Sequence, residues 1–416
     1  MDNSDKRSII IVAFHFPPIQ GSSGYHRVLS FAKHFPALGW QPRILTVRDL
    51  AYVKSNPDNL ALVPGDVEVV RSLALDAARH LAIKGRYPGW LAVPDRWRSC
   101  VPFAVRAAKR MIRRQRPDVI LSTFPIASAH LVARTIHRKT GIPWVADFRD
   151  PMVLDNHPPE GKIRCTYADI EASVFREAAA VIVTTPGADE MYRRRYPSAA
   201  EKITVVQNGF DEEIFDVADG MKDRSKNSTK IKLLHSGLVY REARDPRPLF
   251  RAIAKLVNSG EILESKIEIM FRASSQERFI VEEAKRHGLE RIVTVGASIS
   301  YKEAISEMLA SDSLLLLQSR DCNIQIPAKA YEYLRCGRPI LAITDPYGDT
   351  GKLLSTFGVT DIAALENDSM IAAVVRRHFR NLAFHDNSVA EPERVASLAR
   401  RARAAEAIAI LDEIVT

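Results

Sequence analysis

The chain has 416 residues, which is long for one hydrophobic core and suits two domains of about 200 residues each. Its composition is that of a globular protein, 46% apolar and 26% charged, and it contains no run of about 18 apolar residues that could cross a bilayer. The net charge of +9 favours an anionic partner, but the sequence has no zinc-finger spacing, aromatic RNP-type strand, GXXG loop or basic tail, which disfavours nucleic acid.

The four cysteines (Cys100, Cys165, Cys322 and Cys336) form neither a CxxC pair nor a zinc-binding spacing. We therefore expect reduced thiols, with no disulfide framework and no structural metal. The first seven residues are polar, and the apolar run that follows, 9–14, is too short for a signal peptide, so we expect a cytoplasmic protein.

In the first half of the chain, short apolar runs alternate with helix-length amphipathic segments. The predicted strands are 9–14, 43–47, 118–122, 144–148, 181–185 and 204–207. The predicted helices include 24–38, 126–139 and 163–179. This alternation predicts a parallel sheet with helices on both faces.

The alternation pauses over the polar, charged stretch 211–230, which we interpret as an interdomain linker. A second series of predicted strands follows at 231–235, 266–271, 292–295, 313–318 and 339–343, and the Ala- and Arg-rich segment 392–415 is predicted to be helical. The predicted fold class is α/β, with two tandem Rossmann-like, doubly wound domains facing a cleft, at 1–210 and 231–390, and a final helix at 391–416. Since ligands of such sheets bind beyond the carboxyl ends of the strands, the loops that follow strands are the candidate sites.

The first candidate loop, 15–24, follows the first predicted strand and contains Gly21 and Gly24 before a predicted helix. Glycines at a helix N-terminus allow backbone amides to approach an anion closely. The loop lacks the GxGxxG spacing of dinucleotide-binding dehydrogenases, although Asp49 ends the second strand where such a domain holds ribose. A plain Gly/Ser turn is the alternative.

The second candidate loop contains Asp147, Arg149 and Asp150 directly after a buried strand. Two carboxylates flanking an arginine at a strand end are costly to bury unless they are paired or functional. A structural ion pair that steadies the loop and a substrate-binding role are equally compatible with this pattern.

The third candidate loop, 235–246, opens the second domain with Gly237, Arg241 and Arg244. A glycine turn followed by basic side chains suits a diphosphate held without a metal. Either arginine could instead point into water. Arg272, which follows the next predicted strand, is also a candidate for donor binding.

The fourth candidate, 325–340, is the most specific, and it predicts a loop, a short helix, a glycine stop and a strand. Its candidate donor-binding residues are Gln325, Pro327, Ala328, Lys329 and Glu332. Proline is well placed at a helix start, and a carboxylate one turn later can accept two hydrogen bonds from a ribose diol. The alternative is a surface ion pair between Lys329 and Glu332, worth about 0.2–0.5 kcal/mol.

Together these segments resemble the family 4 glycosyltransferases, retaining enzymes of the GT-B fold that use nucleotide-diphosphate sugars. The resemblance covers nearly the whole chain. Its motifs are HFPP with Gly21 and Gly24, the strand and loop LSTFP (121–125), ADFRDP (146–151), TVVQNGFD (204–211) and, most diagnostic, PAKAYEYLRCGRPIL (327–341).

The resemblance implies that the second domain binds the donor, with Glu332 on the ribose and Arg244 or Arg241 on the diphosphate in place of a metal or other cofactor. It implies that the first domain binds the acceptor and that the Gly21–Gly24 loop meets the donor phosphates. The candidate catalytic residues are Asp147, Arg149, Asp150 and Arg244. The final helix is expected to pack back on the first domain. The sequence departs from the family at Ile324, where many members have a first glutamate that positions the sugar. That role would pass to backbone groups, Asn323 or Gln325, and the histidine common in the first domain is not obvious.

The predicted function is transfer of a sugar to a lipid-linked or glycan acceptor, in cell-surface polysaccharide synthesis. A nucleotide-sugar 2-epimerase of the same fold, a non-catalytic nucleotide-sugar-binding relative and, more distantly, a dehydrogenase are the alternatives. The segment 101–116 predicts a helix with an apolar stripe (Val101, Val105, Ala108 and Ile112) amid basic residues. Trp90 and Trp97, which precede this helix, are residues that favour the boundary between water and lipid. The helix therefore either docks on an anionic membrane surface or covers the first sheet.

Overall fold

A computed structural model describes residues 6–21, 23–155, 157–219, 230–384 and 390–416. The chain divides into two compact units. The first unit contains residues 1–207 together with 400–416, and the second contains residues 208–399.

The first unit is built on a sheet whose described strands are all parallel. These strands are β1 (Arg7–Val12), β2 (Trp40–Val47), β3 (Glu68–Ser72), β4 (Val119–Thr123), β5 (Trp144–Phe148), β6 (Ala180–Val183) and β7 (Ile203–Val205). Their order is β3-β2-β1-β4-β5-β6-β7. The winding therefore reverses between β1 and β4, the position at which doubly wound sheets bind ligands.

Helices cover both faces of this sheet. They are α1 (His26–His34), α2 (Ala77–His80), α3 (Cys100–Arg114), α4 (Ser128–Thr140), α5 (Lys162–Glu177), α6 (Pro186–Arg195) and, from the end of the chain, the helix Arg400–Val415, named α15 below. One face packs on α3, α4, α5 and α6, and the other packs on α1 and α15. Burial on both faces explains why the central strands are continuous runs of Ile, Val and Leu.

The second unit repeats the architecture with six described parallel strands. They are β8 (Ile231–Ser236), β9 (Ile267–Arg272), β10 (Val293–Gly296), β11 (Ser313–Leu317), β12 (Ile340–Ile343) and β13 (Ile362–Ala363), in the order β10-β9-β8-β11-β12-β13. Its helices are α7 (Glu212–Asp219), α8 (Arg247–Asn258), α9 (Glu277–Arg286), α10 (Tyr301–Ala310), α11 (Ala328–Cys336), α12 (Asp349–Thr356), α13 (Asp368–Phe384) and α14 (Pro392–Ala396). The winding reverses between β8 and β11. The prediction of two doubly wound α/β domains is confirmed.

The predicted linker at 211–230 is wrong for its first part, because α7 is a helix packed in the core of the second unit. Phe215 and Ala218 are fully buried there, and Glu212 forms an ion pair with Arg335. Because the segment contains many acidic residues, its composition predicts a linker even though it has a short apolar stripe. Residues 220–229, the rest of the predicted linker, lie outside the described residues.

The single helix predicted at 392–415 is two helices. Val395 of α14 and Leu398 are buried in the second unit, and the carbonyls of Val395 and Ala396 accept the i→i−3 bonds of a tight turn. The chain then enters α15, which lies in the first unit and whose Asp412 accepts a hydrogen bond from the Trp40 indole at 2.9 Å. No helix in the described ranges is long and apolar enough to span a bilayer.

Candidate functional site

The helix α11 begins at the carboxyl edge of the second sheet, beside the end of β8. The backbone amide of Ser236 in β8 donates to the hydroxyl of Tyr333 in α11 at 3.0 Å. Pro327 precedes the helix in an extended conformation, and no side chain caps the first turn. Gly337 ends the helix at φ +59°, a left-handed conformation that favours glycine. The first amides of α11, at the positive end of its dipole, are therefore available to an anion.

Lys329 lies in this first turn and is 9% exposed. Its Nζ lies 3.2 Å from Nε2 of His235, and Nδ1 of the same ring lies 3.0 Å from the carbonyl oxygen of Leu315. Because a carbonyl only accepts, Nδ1 carries the proton and Nε2 accepts from the lysine. Burial first, and then the charge of Arg244, hold the pKa of Lys329 well below its usual value.

Gly237 follows β8 at φ +106°, and a Cβ at this position would lie 3.3 Å from Nζ of Lys329. Its backbone amide donates to the carbonyl of Arg272 at 2.9 Å. Both the conformation and the space beside the lysine therefore require glycine here.

The two candidate arginines of the 235–246 loop have different surroundings. Arg244 is half-buried, donates to the carbonyl of Leu238 at 3.0 Å, and lies near enough to Lys329 to lower its pKa. Arg241 is exposed, and its guanidinium lies 4.4 Å from the ring centroid of Phe279. The structure therefore groups Arg244, and not Arg241, with the lysine.

Glu332 is 7% exposed, and its Oε1 accepts a hydrogen bond from the Tyr301 hydroxyl at 2.6 Å. Among the described residues no ion pair joins it to Lys329, and both side chains are buried, so the alternative of a surface pair is wrong. The Tyr301 contact fixes one carboxylate oxygen and orients the other.

The loop before α11 is held by its backbone. The carbonyl of Gln325 accepts from the amide of Gln318 at 2.9 Å and from the hydroxyl of Thr350 at 3.0 Å. Asn323, expected to replace the missing glutamate at position 324, instead donates to Asp345 at 2.7 Å. That leaves Gln325 and backbone groups for the expected role.

Arg272 does not join this group, which corrects its assignment to donor binding. Its guanidinium forms two hydrogen bonds with Glu307, at 2.8 and 2.9 Å, and a third with the carbonyl of Ala297. Lys232 contacts the same glutamate at 3.0 Å. Because the arginine is held by these partners, its role is to join β9 and α10.

In the first unit, Asp147 is fully buried and paired inside the protein, which corrects its assignment as a catalytic residue. Arg27 of α1 donates to its Oδ1 at 2.9 Å, and Thr123 of β4 donates to its Oδ2 at 2.9 Å. The same guanidinium donates to the carbonyls of Val206 and Gln207. Of the two interpretations of this loop, the structural ion pair holds for Asp147.

Arg149 also serves the scaffold, since it donates to the carbonyls of Phe124 and Gly24. Gly21 adopts φ +78° at the surface, and Asp150 is exposed after the strand end. His15 follows β1 near this arginine. Burial and the neighbouring positive charge lower its pKa to about 3, so the imidazole is neutral at physiological pH.

The residues that the sequence analysis did not assign are partners of residues that it did. His235 and Tyr301 hold Lys329 and Glu332, whereas Arg27 neutralises Asp147. For the two histidines, His235 and His15, a signal existed, since each lies at or just after the end of an apolar strand next to the winding reversal. In the described part of the chain, no group of three or more His, Cys, Asp or Glu side chains is placed to hold a metal.

Comparison with known proteins matches residues 24–209 to the family model described as a glycosyl transferase 4-like domain. Among solved structures, sucrose-phosphate synthase from Thermosynechococcus elongatus is similar, at TM-score 0.70 and 15% identity over 98% of this chain and 99% of that chain. WaaG, described as a glycosyltransferase involved in lipopolysaccharide biosynthesis, gives TM-score 0.61 and 13% identity over 97% and 99%. UDP-GlcNAc 2-epimerase from Methanocaldococcus jannaschii gives 0.57 and 11% over 98% and 99%. A search of curated proteins gives no significant match.

These findings define the fold: the chain has the GT-B fold of two doubly wound units. Its residues 24–209 form a glycosyl transferase 4-like domain.

Proposed function

We propose that the protein is a retaining glycosyltransferase that transfers a sugar from a nucleotide-diphosphate donor to a lipid-linked or glycan acceptor in cell-surface polysaccharide synthesis. The observation that carries the proposal is the group at the start of α11. There an uncapped helix N-terminus and Arg244 present positive charge beside the buried amine of Lys329, and Glu332 presents a buried, oriented carboxylate. This combination suits a ribose linked to a diphosphate.

The chemistry asked of the protein is positioning and neutralisation. In a same-face transfer, the bond from the anomeric carbon to the phosphate oxygen breaks and the acceptor oxygen bonds to that carbon. The acceptor proton passes to the departing phosphate. Cleavage leaves the bonding electron pair on the phosphate oxygen, so negative charge develops there before the proton arrives. Arg244, Lys329 and the amides of α11 would stabilise that charge without a metal.

The first unit would supply the acceptor side. Asp150 is exposed directly after β5, and neutral His15 follows β1, so both lie at the carboxyl edge of the first sheet next to its winding reversal. They are the polar side chains that we propose for acceptor binding, with Arg149 as their scaffold. Contact of Gly21 and Gly24 with the donor phosphates stays a prediction.

A cytoplasmic location at an anionic membrane face fits an acceptor carried by a lipid. The apolar stripe predicted for docking is used internally, since Val105 and Ala108 of α3 are buried in the first unit. Docking would therefore be electrostatic, through exposed basic residues at about 1 kcal/mol each. Those on α3 are Arg106, Lys109, Arg110, Arg113 and Arg114. Trp90 and Phe103, 60% and 45% exposed, could anchor it at the interface.

Liposome sedimentation tests this part. We expect salt-sensitive binding to anionic but not neutral vesicles, and loss of binding when Arg110, Arg113 and Arg114 become Gln. The matched control replaces Arg278, Lys285 and Arg286 of the second unit by Gln, which removes the same charge from another surface. If both triple variants lose vesicle binding equally, net charge and not α3 explains the binding. If all of the wild-type protein stays in the supernatant with every vesicle, the acceptor is a soluble glycan.

The reaction itself is tested with a panel of nucleotide sugars. A donor that binds the native state raises the melting temperature, by an amount that grows with the logarithm of its concentration above Kd. The donor so identified is then incubated with extracted lipid-linked glycans, and the anomeric configuration of the product is read by NMR. Transfer with retention is expected. Conversion of the nucleotide sugar without an acceptor would indicate an epimerase, and binding with neither reaction would indicate a non-catalytic relative.

A further inference from the structure

Lys329 is a buried amine, and among the described residues no carboxylate forms an ion pair with its Nζ. Its side chain is more than nine-tenths buried, and the group within hydrogen-bond distance of Nζ is the imidazole of His235. That imidazole is neutral, because burial holds its pKa well below the usual value. With its one proton on Nδ1, facing the Leu315 carbonyl, its Nε2 accepts. A lysine normally enters such a position with a carboxylate partner or loses its charge.

The charged groups around the lysine do not supply that partner. From the 235–246 loop, Arg244 repels a charge on Nζ. From α11 itself, Glu332 attracts it, but this carboxylate forms no ion pair with Lys329 and is held by Tyr301 from α10. Tyr333 of α11 is neutral, because burial raises the pKa of its hydroxyl. It therefore adds no negative charge near Lys329. From β8, His235 contributes a lone pair.

The neighbours of Nζ are those of an anion subsite. Gly237 leaves space beside the ammonium, the first turn of α11 carries uncapped amides, and Arg244 adds a second cation. A doubly charged diphosphate in this space would turn an unfavourable position for an ammonium ion into a favourable one.

We propose that Lys329 is uncharged in the free protein and takes up one proton from solvent when the diphosphate of the donor binds. The inference rests on the proposed function, because it needs a diphosphate at α11. His235 then keeps its hydrogen bond to Nζ, and the two remaining N–H groups of the new ammonium ion donate to phosphate oxygens. The protein thereby avoids holding two unbalanced cations while the site is empty.

The sign of the pH dependence follows. Burial lowers the pKa of Lys329 in the free protein, and a bound diphosphate raises it. Below the free-state pKa the lysine is already charged and the affinity is at its maximum. Between the two pKa values the affinity falls as pH rises, by at most tenfold per pH unit, and uptake approaches one proton.

Calorimetry measures this uptake directly. The donor found by the nucleotide-sugar panel (drawn from UDP-glucose, UDP-N-acetylglucosamine, GDP-mannose and dTDP-glucose) is titrated into the full chain at several pH values in HEPES and in Tris. The difference in observed heat between buffers gives the number of protons bound, since the diphosphate of a nucleotide sugar has no proton to lose between pH 6.5 and 8.5. We expect up to one proton in the wild type.

The key variant is Lys329→Arg, which keeps the cation but cannot deprotonate. We expect measurable binding with no proton uptake and a flat pH profile, whereas Lys352→Arg on the exposed side of α12 should behave as the wild type. Where the longer arginine does not fit, Lys329→Met should bind weakly and also lose the pH dependence.

The outcomes separate the two proposals. Donor binding without proton uptake by the wild type, or with equal uptake in Lys329→Arg, would overturn the proton-linked subsite and leave the proposed function standing. No binding by any member of the panel, in a protein that melts cooperatively, would overturn both.

Discussion

The two units share one winding pattern and differ in how the charges at their strand ends are satisfied. In the first unit the carboxylate near the end of β5, Asp147, accepts hydrogen bonds from both Arg27 and Thr123. In the second unit, Lys329 contacts a neutral histidine and the amides of α11 are uncapped. With the same topology, the buried ionisable group at the sheet edge has a charged partner in the first unit. In the second unit it has none, and we call this the incomplete edge.

The comparison separates scaffold from site more sharply than sequence motifs do. A buried ionisable group whose partners are all within the fold is costly to unpair, whereas one without a counter-charge is a candidate for ligand binding. By this criterion Asp147 and Arg272 belong to the scaffold. Lys329, Arg244 and Glu332 are assigned to the proposed donor site. The predictions below test this division.

The largest effect is expected for Asp147→Ala. Removing one member of a buried pair leaves Arg27 uncompensated, which costs about 3–5 kcal/mol. We expect a strongly lowered melting temperature, measured by differential scanning calorimetry. Asp150→Ala in the same loop is the control, and its exposed side chain should change stability by about 0.5 kcal/mol or less. Equal melting temperatures for the two variants would remove Asp147 from the scaffold.

Glu332→Ala should act on ligand binding. Loss of two charge-assisted hydrogen bonds to the ribose is expected to weaken donor binding by about 3 kcal/mol, or about 150-fold in Kd. Tyr301→Phe keeps the carboxylate but removes its orienting hydroxyl, so a loss of only several-fold is expected. Both are measured by calorimetry on protein with an unchanged circular dichroism spectrum. A normally folded Glu332→Ala protein with wild-type affinity would contradict the ribose assignment.

Arg272→Gln should show the opposite pattern to the donor-site variants. Its bonds to Glu307 are half-buried, and Lys232 remains as a partner for that glutamate, so we expect a stability loss of about 1–2 kcal/mol. Donor affinity should be unchanged. A substantial rise in Kd with unchanged melting behaviour would return this arginine to the donor site.

The smallest effect is expected from a chelator. Because the proposed diphosphate site uses Arg244, Lys329 and helix amides, transferase activity should be the same before and after EDTA treatment. Activity that EDTA abolishes and Mg²⁺ or Mn²⁺ restores would contradict a metal-free donor site.

Much of the fold could be predicted from the sequence because its central strands are buried on both faces. The strand predicted at 144–148 matches β5 residue for residue, and most others differ by two residues or fewer at their ends. The edge strands β3 and β13 were not predicted, since one is only partly buried and the other has two residues. The helix α7 was missed because acidic residues dominate its composition.

The candidate site could be predicted only in part. The α11 motif predicted a short helix between Pro327 and Gly337, since a proline start and a glycine stop define it locally. The donor-binding roles of Lys329 and Glu332 stay predictions. The partners could not be predicted, because Arg27 reaches Asp147 across 120 residues of sequence, and His235 reaches Lys329 across 94. Which charges are satisfied depends on such long-range pairs.

The central claim is that the incomplete edge of the second unit binds the donor diphosphate, and one pair of variants tests it most directly. Arg244 lies beside Lys329, whereas Arg241, three residues earlier in the same loop, is stacked on Phe279. Calorimetric titration of the donor should give a loss of about 2 kcal/mol, about 30-fold in Kd, for Arg244→Ala. The same titration of Arg241→Ala should give a Kd within about threefold of the wild type. Equal affinities for Arg244→Ala and wild type, or a larger loss for Arg241→Ala, would contradict this account.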